Sequence, residues 1–180
     1  MKRQFAPQRL DVQAFAEEGA KLSGQTPLSA FARLAQEARG DVLGPVDWSA
    51  QGELRNPRHV RPQVWLHLEV DAMLPMVCQR CLERVDVPLR VDRDFRFVPD
   101  EETAAVEDDE SEEDLLATSR AFDLLSLVED ELLMEVPLVP RHDVCPVPVP
   151  MAAQDAGFEQ AERPNPFAGL KVLKGGKQSS

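Results

Sequence analysis

Alternation of apolar and polar residues through the middle of the chain is the feature that most restricts its fold. Apolar side chains recur at every second position over 46–54, 64–70 and 85–97, with Arg93 as the one charged residue in the series. A period of two places them on one face of a β-strand, so each stretch predicts a half-buried strand. The short separations favour an antiparallel meander over 46–98. Pro88 has no N–H to donate, which predicts that the third strand pairs on one side only or lies at an edge.

Helical patterns flank the predicted strands on both sides. Residues 11–38 predict two short helices, the second with Pro27 at its first position. Residues 121–136 predict a longer helix that Asp123 caps and Pro137 ends. Its apolar stripe favours packing on the sheet over packing on a partner. The stripe consists of Leu124, Leu127, Val128 and Leu132.

Negative charge is concentrated in one part of the chain. The 180 residues carry 20 basic and 32 acidic side chains, a formal charge of −12, but ten of the acids lie within 100–114. The window 100–135 carries −14 and the remaining chain +2. The acidic run predicts a flexible, self-repelling loop, and the alternative is a surface that docks a basic partner. That acidic partner surface would consist of Asp108, Asp109, Glu110, Glu112 and Glu113.

The predicted elements together indicate an α+β fold. We expect one domain over 1–150, an antiparallel β-meander packed with a few helices, with closure into a barrel as an open alternative. Five prolines within 137–150 favour extended backbone, and 151–180 predicts an extended tail with one compact motif, NPFAGLKVLK. No long apolar run, no signal-peptide pattern and an odd cysteine count lead us to expect a cytoplasmic protein.

The cysteines form the most chemically suggestive pattern. Cys78 and Cys81 are a C-x2-C pair in the expected loop between the second and third strands, where a tight turn can aim both thiols at one metal. His142 and Cys145 form an H-x2-C pair that would complete a Cys3His zinc site. Leu82 counts against zinc, because a zinc knuckle usually has glycine there. Reduced thiols without a metal and a redox pair are the alternatives.

Motifs of common catalytic sites are absent from the sequence. It contains no phosphate-binding loop, dinucleotide fingerprint or nucleophile elbow. Glu129, Asp130 and Glu131 are consecutive on a helix and point in different directions, which favours a solvated helix face over a metal site. A nuclease that uses these carboxylates with the thiolates is disfavoured, because two-metal hydrolytic sites favour oxygen ligands. We expect no enzymatic activity.

Three blocks in the second half of the chain resemble one known family. They are VCQRCLERVDVPL, FDLLSLVEDELLMEVPLVPRHDVC and RPNPFAGLKVLK, in that order. The sequence is similar to the YceD family, the large ribosomal RNA subunit accumulation proteins. Some relatives have a second C-x-x-C after the proline-rich stretch, whereas only Cys145, with His142, is present here. The family-motif residues are Glu129, Asp130, Glu131, Pro137, Pro140, Asn165, Pro166 and Phe167.

The resemblance implies a noncatalytic role in the synthesis, processing or stability of 23S rRNA, and hence in large-subunit biogenesis. The expected partner is ribosomal RNA or a pre-ribosomal particle, with a basic ribosomal protein as a further candidate and no membrane or small-molecule substrate. The alternative is an acidic interaction protein that contacts no RNA. Basic residues expected to contact RNA or a partner, or else to be ordinary surface charge, are Arg80, Arg84, Arg90, Arg96, Lys171 and Lys174.

Overall fold

A computed structural model of the chain describes residues 3–40, 44–56, 58 and 62–148. Within these residues, five strands form one sheet, and four α-helices and two 3₁₀ turns accompany it. The strands are β1 (Lys21–Pro27), β2 (Pro45–Arg55), β3 (Gln63–Val77), β4 (Arg84–Val98) and β5 (Asp114–Ala117). The helices are α1 (Val12–Glu17), α2 (Leu34–Glu37), α3 (Glu101–Glu107) and α4 (Leu124–Glu135), and the 3₁₀ turns are Leu28–Ala30 and Asp108–Glu110.

The strands lie in chain order across the sheet. The first four are antiparallel neighbours, and β5 runs parallel to β4 along Phe95–Val98 only. The α+β class is therefore confirmed. The barrel alternative is wrong, because β1 and β5 are not paired with each other and the sheet stays open. A four-residue β5 also offers too few ladder bonds for closure.

One face of the sheet carries the hydrophobic core. Alternate side chains of β2, β3 and β4 are buried there, among them Val46, Leu68 and Phe95. Apolar residues of α1 and α4 join the same cluster and cover this face. The opposite, open face carries exposed polar and charged side chains. Among the described residues, no helix is long and apolar enough to cross a membrane.

The first predicted helical region differs from the structure. Helix α1 ends at Glu17, and residues 21–27 form strand β1 instead of continuing as helix. The register runs from Lys21 opposite Gln51 to Pro27 opposite Pro45. A long-range backbone partner therefore decides the structure of this polar segment, and local side-chain periodicity could not indicate it. The second predicted helix is reduced to a 3₁₀ turn and the four-residue α2.

The acidic run is not the loop that its charge predicts. The Asp100 carboxylate accepts the N–H of Thr103 at 2.8 Å and caps α3. Carboxylates in the first turn interact favourably with the helix dipole. Arg96 also neutralises part of the charge, with its Nη2 3.0 Å from Glu107 and its Nε 2.9 Å from Glu113. Helix capping and this arginine thus offset the repulsion that predicted a flexible segment.

Helix α4 lies within the predicted range, but its acidic residues are not all solvated. The Asp123 carboxylate accepts the N–H groups of Leu125 and Ser126 and caps the helix. Glu131 is buried, with Arg93 Nη1 3.2 Å from its carboxylate, and burial raises its pKa. The prediction of a fully solvated face is therefore wrong for Glu131. It is also wrong for Glu129, whose side chain is only 12% exposed.

Glu129 fixes the segment before α2 onto α4. Its carboxylate accepts the backbone N–H groups of Arg33 at 2.7 Å and Leu34 at 3.2 Å, and it also binds the Arg33 guanidinium at 2.9 Å. Burial opposes its ionisation, but these donors outweigh burial and hold the pKa of Glu129 below its usual value. The side chain acts as a remote cap for the short helix α2.

Replacing Glu129 by alanine is expected to lower the free energy of unfolding by about 2 kcal/mol, because two backbone donors lose their acceptor together with an ion pair. Urea denaturation measures the change. Asp130→Ala is the matched control, since it removes only an ion pair between two half-exposed side chains and is expected to cost less than about 0.5 kcal/mol. Equal effects of the two substitutions would contradict the capping role.

Candidate metal centre

The loop between β3 and β4 folds into a tight turn around its first cysteine. Cys78 donates its N–H to the Glu83 carbonyl at 2.9 Å, and Leu82 donates its N–H to the Cys78 carbonyl at 2.9 Å. Leu82 has a φ of +62°, in the left-handed region that favours glycine. The loop therefore has the conformation for which a zinc knuckle uses glycine, with leucine at that position.

A segment of extended backbone after α4, residues 137–145, lies against this loop and is called the strap below. Pro137 ends α4, because its ring cannot continue the helix. The Pro140 carbonyl accepts the N–H of Gln79 at 2.9 Å. Nε2 of His142 lies 2.9 Å from the Arg84 carbonyl oxygen. These two hydrogen bonds hold the strap against both sides of the loop.

The loop and the strap bring the four predicted metal ligands together. One donor atom from each of Cys78, Cys81, His142 and Cys145 lies within 4.8 Å of the other three. The Cys78 and Cys145 Sγ atoms are 4.0 Å apart, and Cys81 Sγ lies 3.4 Å from His142 Nδ1. Tetrahedral zinc with bonds of about 2.0–2.3 Å needs ligand atoms roughly 3.3–3.8 Å apart. The Cys3His set therefore fits zinc in type and, with small adjustments, in spacing.

The histidine has the orientation of a metal ligand. A carbonyl oxygen can only accept a hydrogen bond, so the contact with Arg84 requires the proton on Nε2 of His142. The lone pair on Nδ1 then faces the thiols. Metal-binding histidines commonly donate their second ring N–H to a carbonyl or carboxylate in this way.

The loop also favours the charged form of one thiol. Burial opposes ionisation of Cys78, but the backbone N–H groups of Cys81, His142 and Arg80 outweigh it and lower the pKa of Cys78 from 9.0 to about 5. The Cys145 pKa is raised, first by burial and then by Cys81 and Cys78. Cys78 is thus prepared as a thiolate ligand, the form that binds metals.

In the metal-free chain, thiolate absorbance is expected to show a titration near pH 5 that Cys78→Ser removes. Because the folded pKa is depressed, this group's contribution to stability is complete above pH 9, falls with decreasing pH and is lost below about pH 5. Urea denaturation between pH 5 and pH 9 measures this change in stability, with Cys78→Ser as the reference. A thiolate titration confined to pH 8–9 would contradict the prediction.

Leu82→Gly is expected to raise the free energy of unfolding of the metal-free chain by about 1 kcal/mol, because glycine adopts a left-handed φ without strain. Leu82 is 74% exposed, so little packing is lost. Leu82→Ala is the control, since alanine keeps the strain and removes the same side chain. A gain of equal size with alanine would show that φ is not the cause.

The four described arginines that were predicted to contact RNA or a partner lie in two separate places. Arg80 and Arg84 lie at the loop, and Arg84 pairs with Asp86 at 2.8 Å. Arg90 and Arg96 lie on the open face of β4, away from the loop. Arg90 Nε is 3.1 Å from Asp71, and Arg96 is only 15% exposed beneath the acidic segment. The metal centre therefore adjoins the first pair and not the second.

Only part of the predicted acidic surface is exposed to solvent. Asp108, Glu110 and Glu112 are exposed, whereas Glu113 turns toward Arg96. The side chain of Asp109 and several other predicted residues lie outside the described part of the chain. These other residues are Lys171, Lys174, Asn165, Pro166 and Phe167.

Comparison with known proteins identifies relatives of this chain. A family model described as "Large ribosomal RNA subunit accumulation protein YceD" matches residues 66–174. The large ribosomal RNA subunit accumulation protein YceD of Haemophilus influenzae is 45% identical over 60 residues, a stretch that covers 29% of this chain and 32% of that relative. The chain thus matches about a third of that relative's length. No solved structure matches. The family match begins in β3 and includes all four donor residues.

Proposed function

The chain belongs to the YceD family of large ribosomal RNA subunit accumulation proteins, and from this premise we propose that it supports the synthesis, processing or stability of 23S rRNA in the cytoplasm. It would act as a noncatalytic factor in biogenesis of the large ribosomal subunit. The family match covers the β3–β4 hairpin, α4 and the strap, so it includes the candidate metal centre.

The observation that carries the noncatalytic role is the composition of the metal centre. Four protein donors, Cys78, Cys81, His142 and Cys145, surround one point. A zinc ion bound by all four would have no open position for water or substrate, which is typical of structural zinc. We therefore propose that zinc links the hairpin loop to the strap. In this role the ion stabilises a binding surface and supplies no reaction step.

Depletion of the protein in its host tests the main proposal. We expect the ratio of 23S to 16S rRNA to fall, with recovery on expression of the wild-type chain. Affinity purification from the same cells is expected to recover pre-ribosomal particles containing 23S sequences. An unchanged rRNA ratio together with a purified fraction free of ribosomal RNA and ribosomal proteins would refute the proposal.

A second candidate function is favoured by the ordered acidic segment. Helix α3 and the following 3₁₀ turn present the exposed carboxylates of Glu101, Glu102, Asp108 and Glu110 on a fixed backbone. Such a surface is complementary to a basic ribosomal protein, and a protein contact of this kind would need no RNA. Replacing these four acids by their amides is expected to abolish copurification of ribosomal proteins if this candidate is correct. Retention of RNA binding by the same variant would separate the two functions.

A further inference from the structure

Three arginines lie around the metal centre on two segments. Arg80 is in the hairpin loop, and Arg84 is the first residue of β4. Arg141 lies in the strap between two residues that bind the hairpin. Pro140 accepts the N–H of the loop residue before Arg80 at 2.9 Å, and His142 bonds the Arg84 carbonyl at 2.9 Å. The strap thereby brings Arg141 to the loop across 61 residues of sequence.

A fourth arginine reaches the same end of the hairpin from the segment after α2. Arg39 donates its backbone N–H to the Pro75 carbonyl, near the end of β3, at 2.7 Å. A β-carbon added at the neighbouring Gly40 would lie 3.6 Å from Nη1 of Arg84. The Arg39 segment therefore runs beside Arg84, so three segments, the hairpin, the strap and the segment after α2, contribute the four arginines at this end.

Three of these arginines are available to a partner. Arg39, Arg80 and Arg141 are exposed, and within the described part of the chain no ion pair involves them. Arg84 shares its guanidinium with Asp86 at 2.8 Å. By contrast, Arg96 is held by carboxylates and is 15% exposed.

The surroundings of these arginines differ in charge from the rest of the described chain. The described residues include 14 basic and 28 acidic side chains. Within two residues along the chain, the four arginines are accompanied by four described carboxylates, Glu37, Glu83, Asp86 and Asp143, which leaves ten basic and 24 acidic side chains elsewhere in the described chain. A polyanion would therefore be repelled less at this end of the hairpin than by the rest of the described chain taken as a whole.

We propose that Arg39, Arg80, Arg84 and Arg141 form one arginine surface that binds phosphate groups of ribosomal RNA. The planar guanidinium group binds phosphate through two parallel N–H bonds, which suits this anion better than a point charge does. Near-neutral local charge means that the surface contributes a few specific contacts and no strong nonspecific attraction. This inference rests on the proposed function, and it adds Arg39 and Arg141 to the contact residues.

Binding of labelled 23S rRNA transcripts to the full chain across a salt series tests the surface. The test variant combines Arg39→Ala, Arg80→Ala and Arg141→Ala. The charge-matched control combines Arg9→Ala, Arg58→Ala and Arg120→Ala, all at exposed positions. We expect the test variant to bind at least about tenfold more weakly, with a salt slope smaller by about 2, and the control to stay within about threefold of wild type. Urea denaturation verifies that both variants are folded.

Two results would overturn the arginine surface. One is an equal loss in both triple variants, which would reflect overall charge, and the other is no loss in the test variant. The depletion experiment separates this inference from the function on which it rests. A chain that binds no rRNA transcript while its depletion still lowers 23S rRNA refutes the surface alone. Transcript binding that depends on the arginines, with normal 23S rRNA after depletion, refutes the proposed function alone.

Discussion

Chains carrying Cys78→Ser are expected to lose stoichiometric zinc, which the wild-type chain should retain through purification at one ion per chain. Cys78 is fully buried and is the donor whose pKa is lowered to about 5, so its loss removes the ligand best prepared for the metal. Because the ion would bind the folded chain preferentially, its binding free energy adds to the free energy of unfolding. This binding free energy is about 10–16 kcal/mol in small zinc domains. Loss of one thiolate should weaken binding by more than the roughly 100-fold seen for residues that only orient a ligand.

Metal content of the purified proteins and hydrogen exchange of the strap measure this result. The strap amides should exchange faster in Cys78→Ser, because the hydrogen bonds of Gln79 and His142 would then hold the strap alone. Val144→Ser is the matched control, since it changes an 85% exposed strap residue that is not a donor. A wild-type chain with less than about a tenth of an equivalent of zinc would refute the metal site.

Gly52→Ala is expected to give the largest loss of stability among alanine substitutions at the described glycines, about 3 kcal/mol. A β-carbon at Gly52 would lie 2.7 Å from the ring of Phe15 and 2.8 Å from two backbone atoms of α1, Phe15 C and Ala16 N. A side chain can rotate away from such a clash, but backbone atoms move only if the whole helix shifts. The segment between α1 and β1 is also held to β2 by the bond from Gly52 N–H to the Ala20 carbonyl at 2.9 Å.

Thermal and urea unfolding measure the effect of this substitution, with Gly44→Ala as control. A β-carbon at Gly44 would meet nothing within 4 Å, so this change should be within about 0.5 kcal/mol of neutral. Gly24→Ala is an intermediate case, because the three atoms nearest to its β-carbon all belong to the side chain of Trp48. Similar losses at Gly44 and Gly52 would show that the close approach of α1 is not the cause.

Alternation located the strands well where one face of the strand is buried and the other is exposed. Strands β2 and β4 agree with the predicted stretches to within one residue at each end, whereas β3 continues to Val77, seven residues beyond the alternation that predicted it. Strands β1 and β5 could not be found in this way. The residues of β1 are largely polar, and β5 is four residues long and pairs in parallel with Phe95–Val98 only. Pairing with a distant segment carries no local signature.

The sequence was sufficient to predict the four metal donors of the candidate site, but not the arginines that surround them. Spacing alone grouped Cys78 and Cys81 with His142 and Cys145, because metal ligands commonly come in such pairs. The positions of Arg39 and Arg141 depend on where the strap and the segment after α2 cross the hairpin. The sequence offered one local indication that an arginine lies at the metal centre, because Arg141 directly precedes the predicted ligand His142.

The length of β4 separates two regions of different charge. Its 15 residues span roughly 50 Å between Arg84, which belongs to the arginine surface, and Val98, which precedes acidic helix α3. The described part of the chain therefore has an electric dipole along this strand, on which an approaching polyanion exerts a torque that turns the hairpin loop toward it. Such pre-orientation acts over about one Debye length and mainly affects the rate of productive encounter. Added salt should accordingly slow association more than it accelerates dissociation.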